Sequence, residues 1–208
     1  MQAEFVTDNP EETQGLAKRL AAALPAGACV ALVGELGAGK TCFVRGLVEG
    51  LGGDASLVSS PTFVISCEHP CAQATQLAHI DAYRLGSEEE ILSIGWLELV
   101  ADPATWLAVE WADRIAGQLP ASRVMVTLEH AGQSQRRISI KWPQGIEPAP
   151  QWINDALESQ VCAVCGEPLN QAAGPFCSDR CKMADLGRWF SGGYVLPRPL
   201  KDADWEEA

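Results

Sequence analysis

Positive charge is scarce in this chain. Its 208 residues include 15 Lys and Arg against 27 Asp and Glu, which gives a formal net charge of -12. A surface of that sign repels nucleic acid as a whole. Any contact with nucleic acid would therefore need a local basic patch or a partner protein.

Long apolar runs are also missing. No stretch approaches the roughly 18 residues that a membrane-spanning helix needs. The opening residues, MQAEFVTDNPEET, lack the basic start and the apolar run of a secretory signal. We therefore expect a soluble, cytoplasmic chain that makes no contact with a membrane. Thiols stay reduced in that compartment, so clustered cysteines indicate metal binding or chemistry rather than disulfides.

The chain divides by composition. Residues 1–158 carry a net charge of -10 and residues 159–208 a net charge of -2. Between them, PQGIEPAPQWINDALESQ contains three prolines and is typical of a linker with a short helix from Trp152 to Leu157. We predict a first domain at 1–145, a linker at 146–160 and a small second domain at 161–208.

The stretch GELGAGKT, at 34–41, has the complete pattern of a phosphate-binding loop. It follows CVALVG, an apolar run that predicts a strand buried on both faces, and it precedes a segment with helical spacing. Backbone N–H groups of such a loop point at phosphate oxygens. We expect Lys40 to reach the β- and γ-phosphates of a nucleotide and the Thr41 hydroxyl to bind Mg²⁺. The predicted nucleotide-binding residues are Gly34, Glu35, Leu36, Gly37, Ala38, Gly39, Lys40, Thr41 and Cys42.

Two helix starts are visible. DNPEETQGLAKRLAAAL predicts a helix capped by Asp8 or Asn9. SEEE, at 87–90, predicts a capping box in which Ser87 caps the helix and Glu90 lies three residues on.

RVMVTLEHAGQSQRRISIKW predicts an antiparallel hairpin. Arg136 and Arg137 begin its second strand. Such residues are more often solvated charges at a strand end than ligands, although one of them could reach a nucleotide.

Two acidic residues follow short apolar runs. Asp81 ends LAHID and Glu110 ends TWLAVE, so both could face the phosphates at the carboxyl ends of parallel strands. Each could instead be a cap or a member of a surface ion pair. SSPTF, at 59–63, offers Ser59, Ser60 and Thr62, which could sense a γ-phosphate or form an ordinary turn.

The first 145 residues resemble the TsaE (YjeE) family of bacterial ATPases. The likeness rests on GELGAGKTCFVRGL, SPTFVI, HIDAYRL and VEWADRI in the order of the family. It implies a P-loop α/β sheet with flanking helices, and a role in making threonylcarbamoyladenosine in tRNA beside TsaB- and TsaD-type proteins. It also implies Thr41 and Glu110 at Mg²⁺, Lys40 on phosphate and Asp81 near the attacking water. Contact with tRNA would then be indirect.

Four cysteines crowd into the C-terminal segment. Cys162 and Cys165 are spaced C-x2-C, and Cys177 and Cys181 are spaced C-x3-C. Two short chelating turns joined by a loop are typical of one structural, tetrahedral Zn²⁺ with four sulfur ligands. A segment of this size with little apolar mass also needs a metal to form a core. We expect a four-cysteine zinc ribbon or knuckle.

The segment CAVCGEPL…GPFCSDRCKMADLGRWFSGGYVLP resembles YacG, a small zinc protein that inhibits DNA gyrase. The resemblance implies binding to the gyrase B subunit through residues 161–208. Met183, Leu186 and Trp189 fall on one face of a predicted helix, either as a cover for the zinc site or as an apolar patch for a partner. Tyr194 and Trp205 are further aromatic side chains of the kind that carry interface energy.

The other cysteines and histidines have weaker signals. Cys29 lies in the predicted buried strand and is expected to pack there. Cys67, His69 and Cys71 form C-x-H-x-C in a predicted loop, where a second metal site is conceivable but only three ligands are visible. His79 and His130 are expected to be structural.

Two functional classes remain open at this point. One is an ATPase with low intrinsic turnover, stimulated by partners and fused to an inhibitory zinc module. The other is a non-catalytic, nucleotide-gated binding protein with a purely structural zinc appendage. The sequence shows no obvious arginine finger near the P-loop, which keeps the second class in play.

Overall fold

The computed structural model describes residues 2–61, 65–72, 74–143, 150, 152–153, 162, 164–165 and 176–190. Contacts divide the chain into two compact units, residues 1–156 and residues 157–208. The predicted division at 145 and 161 stays a prediction, because most of the linker lies outside the described residues. Within the described residues, no helix is long and apolar enough to cross a membrane.

A seven-stranded mixed sheet forms the first unit, in the order β1-β7-β6-β2-β5-β4-β3. Its four central strands, β6, β2, β5 and β4, are parallel, and β1, β7 and β3 run antiparallel to their neighbours. The strands are β1 Gln2–Thr7, β2 Cys29–Val33, β3 Ser66–Cys71, β4 Ala74–Asp81, β5 Thr105–Glu110, β6 Val124–His130 and β7 Arg136–Lys141. The predicted α/β P-loop sheet is confirmed.

Helices flank this sheet. They are α1 Pro10–Ala21, α2 Lys40–Gly50 and α3 Trp96–Ala101. The Asn9 side chain caps α1 by accepting from the Glu12 N–H at 2.8 Å, so Asn9 rather than Asp8 is the cap. The two long helices cross closely at Gly46, where an added Cβ would meet the Gln14 carbonyl oxygen at 2.3 Å.

Strand alternation decides which side chains reach the loop end of the sheet. Ile80 and Val109 belong to an apolar cluster with Trp96 on one face. Because successive strand residues face opposite sides, His79 and Asp81 of β4 and Glu110 of β5 point to the other face, where α2 begins. The acids therefore sit beside the phosphate-loop helix, as the strand-end argument predicts.

Two sequence predictions were wrong in this unit. Residues 66–71 form β3 rather than a loop, pairing with β4 from Ser66 opposite Ile80 onward. Pro70 has no N–H to donate, and β3 tolerates it because it is an edge strand. The strand β1 was not predicted, because its buried positions are Ala3 and Thr7, which give little apolar signal, and the exposed Val6 obscures the alternation.

The capping box at 87–90 was also wrong in detail. Ser87 precedes a 3-10 helix, Glu88–Ile94, but its side chain makes no capping hydrogen bond. The Glu90 carboxylate instead accepts from the Gly86 N–H at 3.0 Å, one residue before the expected donor. The hairpin of β6 and β7, by contrast, is confirmed.

Part of the predicted linker packs on the first unit. The Trp152 ring lies 5.6 Å from the Phe5 ring, centroid to centroid, and the Arg19 guanidinium lies 4.9 Å from the Trp152 ring centroid. Ile153 is fully buried. Trp152 and Ile153 are helical, and the remainder of the predicted helix to Leu157 lies outside the described residues.

The second unit contains one described helix, α4, Asp179–Phe190. Met183 and Leu186 on this helix are exposed, at 65% and 39% of their surface, which favours the apolar patch over a cover for the cysteine site. The side chain of Trp189, together with Tyr194 and Trp205, lies outside the described residues.

Candidate functional site

Lys40 begins α2 and is buried within its own loop. Its Nζ donates to the carbonyl oxygens of Gly34 at 2.7 Å and Glu35 at 2.9 Å, and it lies 3.8 Å from the centroid of the Trp111 ring. Burial lowers the pKa of Lys40, and the nearby Glu110 carboxylate opposes that shift. The loop therefore carries a poorly hydrated ammonium group whose present partners are neutral, which favours exchange for an anionic ligand.

Glu110 connects the phosphate loop to the neighbouring strands. It is the last residue of β5, a strand buried throughout, and only 3% of its surface is exposed. Its Oε1 accepts from the Thr41 hydroxyl at 2.7 Å and from His79 Nε2 at 2.8 Å. Nε2 must carry a proton to bond a carboxylate oxygen, so this ring nitrogen is the donor of the hydrogen bond.

The Thr41–Glu110 pair fits a magnesium ion by its donor set. Both side chains offer hard oxygen atoms, the ligands that Mg²⁺ prefers. Neighbouring ligands at about 2.1 Å from an octahedral ion lie roughly 3 Å apart. The two oxygens are already 2.7 Å apart, so little rearrangement would be needed.

Asp81 lies beside Glu110 in the sheet, as its register partner on β4. It is buried, and its carboxylate accepts from the Tyr83 N–H at 2.9 Å and from the Ser60 hydroxyl at 3.3 Å. The SSPTF segment thus reaches the site through Ser60. Thr62 lies outside the described residues.

A cavity of about 350 Å³ brings these groups together. Most of the predicted site residues line it; they are Leu36, Gly37, Gly39, Lys40, Thr41, Cys42, Asp81 and Glu110. Gly34 and Glu35 line a second cavity of about 520 Å³, which shares Trp111 with the first. Ala38 is fully buried and lines neither cavity.

Trp111 is a site residue that the sequence analysis missed. It directly follows Glu110 and has a φ of 56°, a left-handed conformation that a bulky residue rarely adopts. This conformation lets its ring lie against Lys40 and against Tyr83, whose ring centroid is 4.9 Å away. Backbone strain of this kind is tolerated where the surroundings fix the residue, and it clusters at functional sites.

The sequence predicted a structural role for His79 and a solvated charge for Arg136. His79 contacts Glu110 directly, and a usable signal existed, because it lies two residues before Asp81 and so on the same strand face. Arg136 donates to the carbonyl oxygens of Ala38 and Gly37, and is therefore not a solvated charge at a strand end. His130 is exposed and lines the second cavity.

The four C-terminal cysteines converge. Their sulfur atoms all lie within 4.8 Å of one another, with Sγ–Sγ distances of 3.4 Å for Cys165–Cys177 and 3.7 Å for both Cys177–Cys181 and Cys165–Cys181. Four sulfurs placed tetrahedrally at about 2.3 Å from Zn²⁺ lie roughly 3.8 Å apart. The donor set and spacing fit the predicted zinc site.

Protonation of this cluster is shared between its thiols. Burial would raise the pKa of Cys162, but backbone N–H groups of Cys177 and Cys165 that bond its sulfur lower the pKa to about 6. Hydrogen bonds that the Cys177 thiol donates to Cys165 and Cys162 stabilise its protonated form and raise its pKa to about 12. The N–H groups around Cys162 are the kind of outer partners that stabilise a metal-bound thiolate.

A second metal site at Cys67, His69 and Cys71 was not found. Among the described residues, only the C-terminal cysteines bring three or more possible ligand atoms together. His69 instead faces His79, with ring centroids 5.8 Å apart. Cys29 is buried in β2, and burial raises the pKa of its thiol to about 12, as expected of a packing residue.

The loop between β2 and α2, with two carboxylates at the ends of neighbouring parallel strands, defines a P-loop nucleotide-binding fold. The crystal structure of Bacillus subtilis YdiB has the same fold: its TM-score is 0.55 at 32% identity, over 76% of this chain and 93% of that one. The family model for threonylcarbamoyl adenosine biosynthesis protein TsaE matches residues 7–138.

The TsaE protein of Bacillus subtilis strain 168 is 41% identical over 139 residues, which are 67% of this chain and 85% of that protein. The family model for DNA gyrase inhibitor YacG matches residues 160–207. YacG of Nitrobacter hamburgensis is 49% identical over 53 residues, 26% of this chain and 85% of its own length. The chain therefore belongs to the TsaE family, and its C-terminal segment belongs to the YacG family.

Proposed function

We propose that the first unit hydrolyses Mg²⁺-ATP in the synthesis of threonylcarbamoyladenosine in tRNA. The curated relatives carry the name of that pathway. The observation that carries the proposal is the Glu110 carboxylate, which bonds the Thr41 hydroxyl across 69 residues of sequence at the mouth of the P-loop. Such a pairing of a P-loop hydroxyl with a strand-end acid is typical of NTP-hydrolysing sites.

Each site residue has a separate role in this proposal. Lys40 exchanges its two carbonyl partners for β- and γ-phosphate oxygens. Thr41 and Glu110 supply oxygen ligands to the metal, and His79 holds the Glu110 carboxylate in place. Asp81 orients the attacking water. It is buried beside Glu110, and hydrogen bonds from the Tyr83 N–H and the Ser60 hydroxyl fix its carboxylate in position. Bound Mg²⁺ would offset the charge that develops on the phosphate oxygens.

A low intrinsic turnover would fit the same site. Arg136 on β7 is engaged with P-loop carbonyl oxygens, on the side of β2 away from Glu110's strand. TsaB- and TsaD-type proteins would then be needed to complete catalysis. The alternative is a nucleotide-gated switch with negligible hydrolysis. Steady-state turnover of the full chain, with and without these two proteins, separates the two: no stimulation above background supports the switch.

We infer that the second unit binds one structural Zn²⁺ through Cys162, Cys165, Cys177 and Cys181 and acts on the B subunit of DNA gyrase. The convergent cysteines and the exposed Met183 and Leu186 support a metal-stabilised module with a free apolar surface. Capture of gyrase B by the full chain, compared with a chain ending at residue 158, tests this. If both chains capture gyrase B equally, or if neither captures it at micromolar concentration and low salt, the second unit has only a structural role.

A further inference from the structure

Arg136, the first residue of β7, reaches 98 residues back along the sequence to the phosphate loop. Its Nε donates to the Ala38 carbonyl oxygen at 3.1 Å and its Nη2 to the Gly37 carbonyl oxygen at 3.2 Å. Its Nη1 donates to the carbonyl of the preceding residue, Gln135, at 2.8 Å. The bond to Gln135 therefore fixes the guanidinium group, and its Nε and Nη2 donate to two consecutive peptide groups.

Those two peptide groups belong to the most pliant part of the loop. Gly37 and Gly39, with φ values of 75° and 103°, lie on either side of Ala38. Glycine permits a wide range of backbone angles, so the peptide planes here can rotate unless something restrains them. The Gly37–Ala38 peptide is also held on its N–H side, because the Ala38 N–H donates to the Glu35 carbonyl oxygen at 3.2 Å. For the Ala38–Gly39 peptide, Arg136 supplies the restraint through the Ala38 carbonyl oxygen.

The carbonyl of Ala38 and the N–H of Gly39 belong to one planar, trans peptide group and point in opposite directions. When Arg136 holds the Ala38 oxygen, the Gly39 N–H must face away from Arg136. Gly39 lines the cavity that contains Lys40 and Thr41, whereas Arg136 is absent from the described lining of that cavity. The N–H is thus directed at the place where phosphate would bind.

We propose that Arg136 is a positioning residue for nucleotide binding, and this inference rests on the proposed function of the loop. It acts without touching phosphate, by holding the Ala38–Gly39 peptide group so that the Gly39 N–H is oriented before the nucleotide arrives. Preorganised donors bind an anion more tightly than donors that must first rotate into place.

Arg137 provides a matched control. It is the next residue of β7, so its side chain lies on the opposite face of the strand, where it lines a shallow depression with Glu4 and Glu129. Arg136 and Arg137 are both half-buried and carry the same charge. Substituting either one by Gln removes one positive charge from the same strand, but only Arg136→Gln removes the bonds to the loop.

The test uses the full chain, with Arg136→Gln, Arg136→Lys and Arg137→Gln compared by titration with ADP and ATP. Thermal unfolding is followed in parallel, and binding is measured where every variant is folded. Arg136→Gln is expected to weaken nucleotide binding by about tenfold or more, because two charge-assisted hydrogen bonds are lost. Arg137→Gln is expected to bind within about twofold of the parent, since its charge is screened.

Exchange of the Ala38 amide hydrogen, which is bonded to the Glu35 carbonyl oxygen at 3.2 Å, gives a second readout. Without nucleotide, it should speed up in Arg136→Gln, which frees the Gly37 oxygen of the same peptide, and not in Arg137→Gln. A lysine has no planar fork, so Arg136→Lys should recover only part of the affinity; full recovery would attribute the effect to charge and overturn the positioning role. If Arg136→Gln does not fold, Arg136→Lys carries the test alone, and unchanged affinity refutes the proposal.

The proposed function of the loop and the role of Arg136 can fail separately. A parent chain that binds no nucleotide defeats the proposed function of the loop. If the parent chain binds nucleotide, and Arg136→Gln has the same Kd but a lower melting temperature, only the positioning role of Arg136 is refuted. Arg136 would then be a structural link between the hairpin and the loop.

Discussion

The hydroxyl of Thr41 donates a 2.7 Å hydrogen bond to Oε1 of Glu110, so the first turn of α2 is tied to the end of β5. The same oxygen accepts from His79 Nε2. A metal ion placed between Thr41 and Glu110 would replace the direct bond, while the contact with His79 could persist. The two proposed metal ligands are therefore bonded to each other, and magnesium binding would require this bond to break.

Replacement of Glu110 by alanine should separate nucleotide binding from hydrolysis. The variant loses an oxygen ligand of the metal but keeps Lys40 and the loop amides, so we expect ADP affinity without Mg²⁺ close to that of the parent. Partner-stimulated turnover should fall by about 100-fold or more. Single-turnover hydrolysis in the presence of TsaB- and TsaD-type proteins measures this, and normal turnover in Glu110→Ala would move the metal-binding role to Asp81.

Lys40→Ala should abolish measurable nucleotide binding and leave the zinc content unchanged. Lys40 is the positively charged group of the loop, and the cysteines belong to a separate compact unit. Binding of a fluorescent ATP analogue and metal analysis of the same sample test both halves. ATP affinity near the parent value would contradict the assignment of the loop, and parallel loss of zinc would contradict the independence of the two units.

Gly46→Ala should destabilise the first unit by roughly 2–3 kcal/mol, because its Cβ would collide with a backbone carbonyl where α1 and α2 cross. The matched control is Gly15→Ala in α1, where nothing lies within 4 Å of the added carbon. That change should stabilise the protein by about 0.5–1 kcal/mol, since alanine favours a helix. Chemical denaturation measures both; similar effects of the two substitutions would refute the close crossing.

Zinc affinity should rise with pH. In the metal-free cluster, hydrogen bonds to neighbouring thiols raise the pKa of Cys177 to about 12, so near neutrality this thiol keeps its proton and zinc must displace it. Each displaced proton makes the apparent affinity about tenfold weaker per unit of falling pH. Below the pKa of about 6 at Cys162, the proton on that thiol adds to the effect.

Competition with a chelator at pH 6, 7 and 8 measures this dependence. Cys177→Ser should weaken zinc binding sharply at every pH while ATP binding by the first unit is retained. An affinity that does not change with pH would contradict zinc binding through protonated thiols.

Local patterns were enough to predict the P-loop, its strand and helix, and the strand-end acids. Glu110 and Asp81 could be found because each ends a short apolar run, and the parallel sheet brings such ends together. Arg136 could not be assigned in this way. Its partners lie 98 residues away, and nothing around it in the sequence specifies a carbonyl as the acceptor. The position of His79 near the site could be predicted, because its spacing from Asp81 places both residues on the same face of the strand. Its hydrogen bond to Glu110 could not be predicted from that spacing.

The strand β3 shows another limit. Its sequence SCEHPC combines a charge, a proline and two cysteines, and local propensity therefore favours a loop. Pairing with β4 overrides that preference, because the strand is at an edge where an unpaired proline is tolerated. The error in the sequence prediction thus came from long-range pairing, which no local window contains.

The contact of Trp152 with Phe5 and Arg19 decides where the first unit can be shortened. The TsaE match ends at residue 138, yet Trp142 and Ile153 are buried and Trp152 packs on the first unit. Expression of a chain that ends with the match would strip Phe5 and Arg19 of their aromatic partner. A boundary placed after Ile153 would retain it.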